Sequence, residues 1–450
     1  MRLALALVLT LVSGCASSRL PVLPTTYYVA TNGNDSNAGT EAMPWKTLQK
    51  AINTVKGGDV VYLRAGTYAA PTIKYLNPVP EQWITFRPYQ DEKVTINTSL
   101  TASRQGSLKI VDSSYLIFEG LEITDMSYDR SLSPCDVTKG RCAEPDGRVG
   151  IHRAPTDEFA TKVHHLIFRN NDIHHNGRHG IMGGAADTQL LNNRIHNNGY
   201  AIVGGAGYGT YIHGTRWIVR GNEIHHNTGV NLRIANIPEK FHAIDWIVEQ
   251  NLIYNQQGPC WHSSGRPMEG LSVALYGMDG GIFRNNIVYG GYGTGVWSRS
   301  MSSRPTLIYN NTIYDNGDYG LLLSGTSIAM NNIIYKNAQR NSNYELIVTE
   351  NSTARNNIVG GSRSLILTKG SGTESDNFRN VDPLFVNPAG GDFHLQASSP
   401  ALDKGLTLSQ VPGDYAGGTR PFGTAYDIGA FEFDAEADNS KIYTAPPSAH

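Results

Sequence analysis

The sequence predicts an all-β protein, a single right-handed parallel β-helix (a solenoid) with a short N-terminal capping α-helix and an irregular C-terminal cap. The first observation is a repeated template, apolar-x-x-Asn-x-Ile followed by a polar turn. It recurs in FRNNDIHHNG, LLNNRIHNNG, VRGNEIHHNTG, VEQNLIYNQQG, FRNNIVYGGYG, IYNNTIYDNG and MNNIIYKN. The second is its period. The template asparagines Asn171, Asn193, Asn222, Asn251, Asn286, Asn311, Asn332 and Asn357 follow one another at 22, 29, 29, 35, 25, 21 and 25 residues. A basal coil of 21 to 25 residues with insertions in particular coils fits strands that pair with the coils above and below. The third is composition: 48 glycines and many asparagines suit short strands joined by tight turns. A leucine-rich repeat needs a different template, and a propeller blade needs ~40–45 residues. The stacked asparagines are expected to bond to turn backbone in neighbouring coils, as amide ladders do, and so to be structural.

A second strand is expected about ten residues after each ladder asparagine: GIMGG, NLRIA, GVWS and GLLLS, and, after insertions, TYIHG and LSVALYG. Aligning their centres gives an inward row of Ile181, Tyr211, Leu232, Val273, Val296 and Leu321, headed by Ile151. The next positions, His152, Met182, Ile212, Arg233, Ala274, Trp297 and Leu322, then face outward; a slip of one residue exchanges the rows. At the N-terminal end, PWKTLQKAINTV places Trp45, Leu48, Ile52 and Val55 on one face of a helix that plugs the bore. GGDVVYLRAGTY then forms the first coil. From Asp382 onward, irregular extended strands close the other end, and residues 435–450 form a polar, disordered tail.

With 40% hydrophobic and 17% charged residues the chain reads as folded, and a net charge of −2 supplies no broad basic face for nucleic acid. Its first residues combine Arg2, an apolar stretch from Leu3 to Val12 and the run Val12-Ser13-Gly14-Cys15. That run resembles the bacterial lipobox, in which the cysteine is lipidated and becomes the mature N-terminus. The expected organisation is a signal peptide over 1–15, a tether over 16–25 and the β-helix with its caps over 26–434. Such a protein is an exported, monomeric lipoprotein of the outer membrane, touching the bilayer through its lipid alone. In that oxidising setting Cys135 and Cys142 are expected to pair as a disulfide, with Cys260 left as a free thiol.

TYYVATNGNDSNAGTEAMPWKTLQKAINTVKGGDVVYLRAGTY and the closing run from SPALDKG to DIGAFE resemble bacterial right-handed β-helix proteins that act on polysaccharides. These include pectate lyases, alginate lyases and chondroitinase-like enzymes. The shared motifs belong to caps and scaffold. The chain departs from the family's site motifs: it has no DPHE or DPxDTH run, and no aspartate cluster with a following lysine. The resemblance implies a polysaccharide substrate and leaves the reaction open.

Candidate chemistry concentrates between residues 144 and 233. Lytic cleavage of a uronate chain needs a cation to neutralise the sugar carboxylate and a base to take its α-proton. Arg153 or Arg233 fits the first role, and His152, His179, His213 or Tyr211 the second. Arg148, Arg178, Tyr208 and Arg216 lie in the same coils. Insertions over 199–207 and 257–269 precede the same strand, and loops on a rigid scaffold commonly carry sites. From the second insertion Trp261, His262, Arg266 and Glu269 would rim a groove, with Tyr292 and Trp297 stacking on sugars. His174, His175, His225 and His226 repeat within the template and are read as turn formers. Asp187, Arg216 and Asp245 each precede a ladder asparagine by six residues. They form either a salt-bridge ladder or, through the two carboxylates, a hydrolase pair. A Ca²⁺ ion is compatible with the sequence, because scattered oxygen ligands leave no spacing signature. The expected function is cleavage of an acidic glycan by β-elimination. The alternatives are a glycoside hydrolase using Asp187 and Asp245 and a non-catalytic glycan-binding surface protein.

Overall fold

The computed structural model describes residues 24–99, 107–126, 148–152, 162–199, 207–235, 243–257, 270–340, 344–362 and 364–434, with the side chains of His152 and Ser364 excepted. The chain winds as a right-handed parallel β-helix. One parallel sheet holds 26 strands, a second holds 12, and a lone antiparallel hairpin, Phe385–Asn387 with Asp392–Leu395, follows them.

The coil from Tyr208 shows how sequence makes each turn of the solenoid. A long strand, Tyr208–Thr215, bends at Arg216 into Ile218–Arg220; both strands belong to the large sheet. A second bend at Gly221 leads through Asn222 to Glu223–His225 of the smaller sheet, and a third bend follows at His226. Arg216, Gly221 and His226 have φ of 55°, 67° and 50°. The left-handed region favours glycine and asparagine, which explains the Asn-Asn pairs of the template. The first asparagine, such as Asn192 (φ 52°), makes the bend, and the second joins the ladder.

The ladder is continuous. Asn193 donates from its backbone N–H and Nδ2 to Oδ1 of Asn222 at 2.9 and 3.0 Å, and from Nδ2 to the carbonyl of Phe168 at 2.9 Å. The pattern runs from Asn171 through the other named asparagines to Asn377, one coil beyond the sequence expectation. A second buried ladder, absent from that expectation, runs through Asn176, Asn198, Asn227 and Asn231. It resumes with Asn316, Asn337 and Glu345.

Inside, residues with no exposure, among them Leu166, Phe168, Ile195 and Ile224 on strands and Trp217 and Trp246 at bends, form one packed core. The helix Leu48–Ile52 is only five residues long, but Trp45, Leu48, Ile52 and Val55 are all buried, as its amphipathic pattern requires. Coiling starts before it: Thr26–Val29 pairs with Val60–Leu63, so GGDVVYLRAGTY is the second strand layer rather than the first. The closing segment also does more than cap an end. Phe385, Phe393, Leu395, Ile428 and Phe431 pack on Ile287, Ile333 and Ile358, covering the outside of the smaller sheet. Asn285, Asn310, Asn331 and Asn356 hold it by donating to the carbonyls of Gly413, Asp427, Leu406 and Lys404.

Candidate active site

The long strands begin with a corner that sequence alternation does not reveal. A Cβ on Gly180 would strike Ile195 and Asn198, so this position points inward, and the next residue, Ile181, is also fully buried. Gly209 and Thr210 repeat the arrangement, as do Asn231 and Leu232. Two successive inward residues break the period of two. Thr210, not Tyr211, therefore pairs with Ile181 and Leu232, and Tyr211 lines up with Met182 and Arg233. The expected rows are corrected by one residue at this coil: Tyr211 is half-buried on the outer side and Ile212 is fully buried. Likewise Val149, not Ile151, heads the inner row, and His152 pairs with Val111.

With that register, several sequence-predicted residues come together outside the large sheet. The His179 ring stacks on Tyr208 with centroids 5.2 Å apart and lies 6.0 Å from Tyr211. The Arg233 guanidinium stands 5.2 Å from the Tyr208 ring and 5.1 Å from the Tyr211 ring, and donates to the Tyr208 hydroxyl at 3.2 Å. Val230, Leu271 and Ala274 form the apolar floor against Tyr208, and Trp297 joins its edge. His213 lies one position further out, its imidazole occupying the space above Gly184, where a Cβ would be 2.2 Å from the ring.

Among the described residues eleven arginines, from Arg64 to Arg420, are ion-paired with carboxylates. Among the described residues Arg233 has no such partner, and its buried Nε has no hydrogen-bond acceptor. His179 is 2% exposed, and its Nδ1 is likewise unmatched among the described residues. Burial, and then the positive charges of Arg178, Arg148 and Arg233, hold His179 well below the usual imidazole range, so it is neutral. Burial raises the Tyr208 phenol despite Arg233, so it stays protonated. The patch is a cationic, aromatic surface with acceptors missing and neutral donors in place.

Other expectations fall elsewhere. Tyr292 is exposed, but the Arg340 guanidinium lies 4.0 Å above its ring, so that face is already covered. Asp187 forms a two-point pair with Arg216 at 2.6 and 2.7 Å, which holds its carboxyl below the usual range. Asp245 bonds instead to Arg304, which also holds Asp279, so the expected Asp–Arg–Asp ladder is split between two arginines. His174 and His225 are strand residues rather than turn formers: with His196 they make a stacked column, and only His175 and His226 occupy the bends. Arg153, Trp261, His262, Arg266, Glu269, Cys15, Cys135, Cys142, Cys260 and the 435–450 tail lie outside the described residues, as does the side chain of His152. Among the described residues no group of three or more His, Cys, Asp or Glu side chains could hold a metal ion. The arginine-lined patch does not fit a Ca²⁺ site, which needs oxygen ligands.

Sequence reasoning missed the second ladder, although an asparagine five residues after Asn171, Asn193, Asn222, Asn311 and Asn332 marks it. It also passed over Tyr276 and Arg299, which sit on the same outer side: Arg299 donates to the Tyr276 hydroxyl at 3.1 Å, and Trp297 meets the Tyr276 ring edge-on at 5.7 Å.

Coils and site together define a class, the parallel β-helices. Residues 148–379 match the family described as right handed beta helix region, more than half of the chain, and the protein belongs to that family. Residues 27–228 also match the family described as Pel9A-like, right handed beta helix region. Among solved structures, pectate lyase Pel9A superimposes with a TM-score of 0.61 at 17% identity, covering 92% of this chain and 97% of that one. A XylC complex with xylose gives 0.52 at 13%, covering 91% and 98%. Among curated proteins, pectate lyase PEL9 of Emericella nidulans is 30% identical over 122 residues, 24% of this chain and 30% of that protein. The uncharacterized protein YwoF of Bacillus subtilis is 33% identical over 103 residues, 22% of each chain. The chain thus spans less than a third of the length of these curated relatives.

Proposed function

We propose that the protein is an exported, lipid-anchored, carbohydrate-active enzyme that cleaves an acidic glycan by β-elimination on the outer side of the long strands. The observation that carries this reading is Arg233: a guanidinium held between two phenol rings with no carboxylate partner among the described residues. A uronate supplies the missing anion. A fixed, permanently charged fork suits that planar group, and the aromatic surface suits a sugar ring.

Neutralising the carboxylate stabilises the charge that develops when the neighbouring proton leaves. Tyr211 or His213 is the base, because both are half-buried on the outer side beside this coil. The base takes the α-proton, the C–H electron pair becomes a carbon–carbon double bond, and the bond to the departing sugar oxygen breaks. That oxygen leaves with the bonding pair and takes up a proton. Neutral His179, whose ring stacks on Tyr208, becomes easier to protonate once an anion offsets the three surrounding arginines.

The hydrolase reading has less support. A general acid needs a raised pKa, whereas Arg216 holds Asp187 ionised. The kinship to proteins named pectate lyase supports an acidic substrate class. A screen of acidic and neutral polysaccharides, read by ultraviolet absorbance of the unsaturated uronate and by new reducing ends, tests the proposal. Both signals together are expected on an acidic glycan. Reducing ends without the chromophore indicate a hydrolase, and neither signal with retained binding indicates a glycan binder.

A further inference from the structure

The outer side of the large sheet carries a second arginine of the same kind. Arg233, Ala274 and Trp297 occupy one row across three successive coils, and Ala235, Tyr276 and Arg299 the next outward row. The Arg299 guanidinium stands 5.3 Å from the Tyr276 ring, bonded to its hydroxyl, and has no carboxylate partner among the described residues. The carboxylates of Asp279 and Asp245 are both engaged by Arg304. The motif is therefore duplicated, each copy having an arginine laid on tyrosine with a donor to a phenol oxygen and no carboxylate partner among the described residues. Trp297 stands between the copies, against the apolar floor of the first and the edge of Tyr276.

Stacking fixes the separation. Two strand steps at ~4.8 Å and two residues at ~3.3 Å put the two arginine positions roughly 10 Å apart along the solenoid axis and ~7 Å apart along the strand. That is farther than one sugar ring spans, so a single uronate cannot engage both.

We propose that Tyr276, Trp297 and Arg299 form a second subsite for an anionic sugar, so that the glycan taken by this protein is a linear polyanion bound through at least two acidic residues that are not adjacent. The inference rests on the proposed function for the role of Arg233 and extends it along the coils. The bound chain crosses Trp297, and the second subsite holds it in register while the first engages the reacting uronate. Uncompensated charges at both ends make binding weaken steeply with salt.

The test measures binding of two probe series by calorimetry: oligogalacturonates, charged on every sugar, and chondroitin oligosaccharides, charged on alternate uronates, each from the disaccharide upward. For wild-type protein, affinity is expected to rise at least tenfold once the chain is long enough to carry a second, non-adjacent acid. Arg299→Ala and Trp297→Ala are expected to remove most of that length-dependent gain, and Arg299→Lys to restore part of it. Arg233→Ala is expected to weaken short and long chains alike. Circular dichroism and thermal midpoints confirm that the variants fold. An unchanged length gain in Arg299→Ala, with binding still lost in Arg233→Ala, overturns the second subsite alone. Wild-type protein that binds neither series at any length overturns the proposed function and this subsite with it.

Discussion

Arg233 takes its character from position. The same side chain beside a carboxylate, as at Arg216 with Asp187, is a surface ion pair worth about 0–1 kcal/mol. Between Tyr208 and Tyr211, with no acid beside it among the described residues, it is the binding group of the proposed site. The bases can be separated by substitution. Tyr211→Phe and His213→Ala are expected to differ, with the true base losing at least ~10²-fold in turnover on the acidic substrate. His152→Ala belongs in the same set, because its strand borders this patch. Comparable, near-native turnover in all three would remove the base assignment. A second residue-scale expectation concerns Glu345, which ends the second ladder by accepting from Asn337 and is fully buried. Burial pushes its carboxyl up to about 7. Because the folded value lies above the unfolded one, the protonated form favours folding. Its contribution is full below about pH 4.5 and is lost as pH rises to about 7. Glu345→Gln keeps the acceptor and removes the proton. Thermal midpoints at about pH 5 and about pH 8 should show a smaller drop in the variant than in wild type. Equal drops would mean that Glu345 ionises freely.

At the scale of elements, what the sequence reveals depends on whether a residue repeats. The asparagine ladder was legible because every coil needs the same buried amide at the same bend, so Asn222 and Asn251 stand out by spacing alone. Replacing either by leucine strands the buried N–H of the preceding asparagine and a backbone carbonyl. The expected cost is about 1–3 kcal/mol, read from denaturant unfolding. No loss in either variant would contradict a buried ladder. The outer row was only partly legible. Thr210 occupies an inward position with a polar side chain, and its hydroxyl accepts from the Arg233 N–H at 3.3 Å. A hydrophobicity pattern has no means of marking it as core, so Tyr211 was expected in its place. The paired inward residues at Gly209 and Thr210 have the same effect, because a corner in the backbone ends the alternation that strand reading relies on. Once Tyr211 moves outward, it meets Arg233 rather than the bore.

For the whole molecule, the solenoid joins residues that are remote in sequence at one strand spacing, and the closing segment braces it from the side. The fold was legible because a period survives insertion and substitution. The site was not, because one copy of a residue has no period to betray it: Arg299 looks like any surface arginine until Tyr276 is placed one coil away. The proposed lipid anchor is a whole-molecule matter too. Cys15→Ser is expected to release the protein from membranes or hold it as a precursor, with the thermal midpoint of the coils unchanged. Equal membrane retention of both forms after detergent-free washing would dismiss the lipobox.

The central claim, that the Arg233 guanidinium on the outer side binds the uronate undergoing elimination, is tested most directly by Arg233→Ala. The measurement is the initial rate of unsaturated-uronate formation on the acidic glycan that wild-type protein degrades, with folding checked by thermal midpoint. Turnover is expected to fall at least ~10²-fold, as for loss of a group that stabilises transition-state charge, in a protein folded like wild type. A folded Arg233→Ala variant that forms the unsaturated product at a near-native rate contradicts the claim.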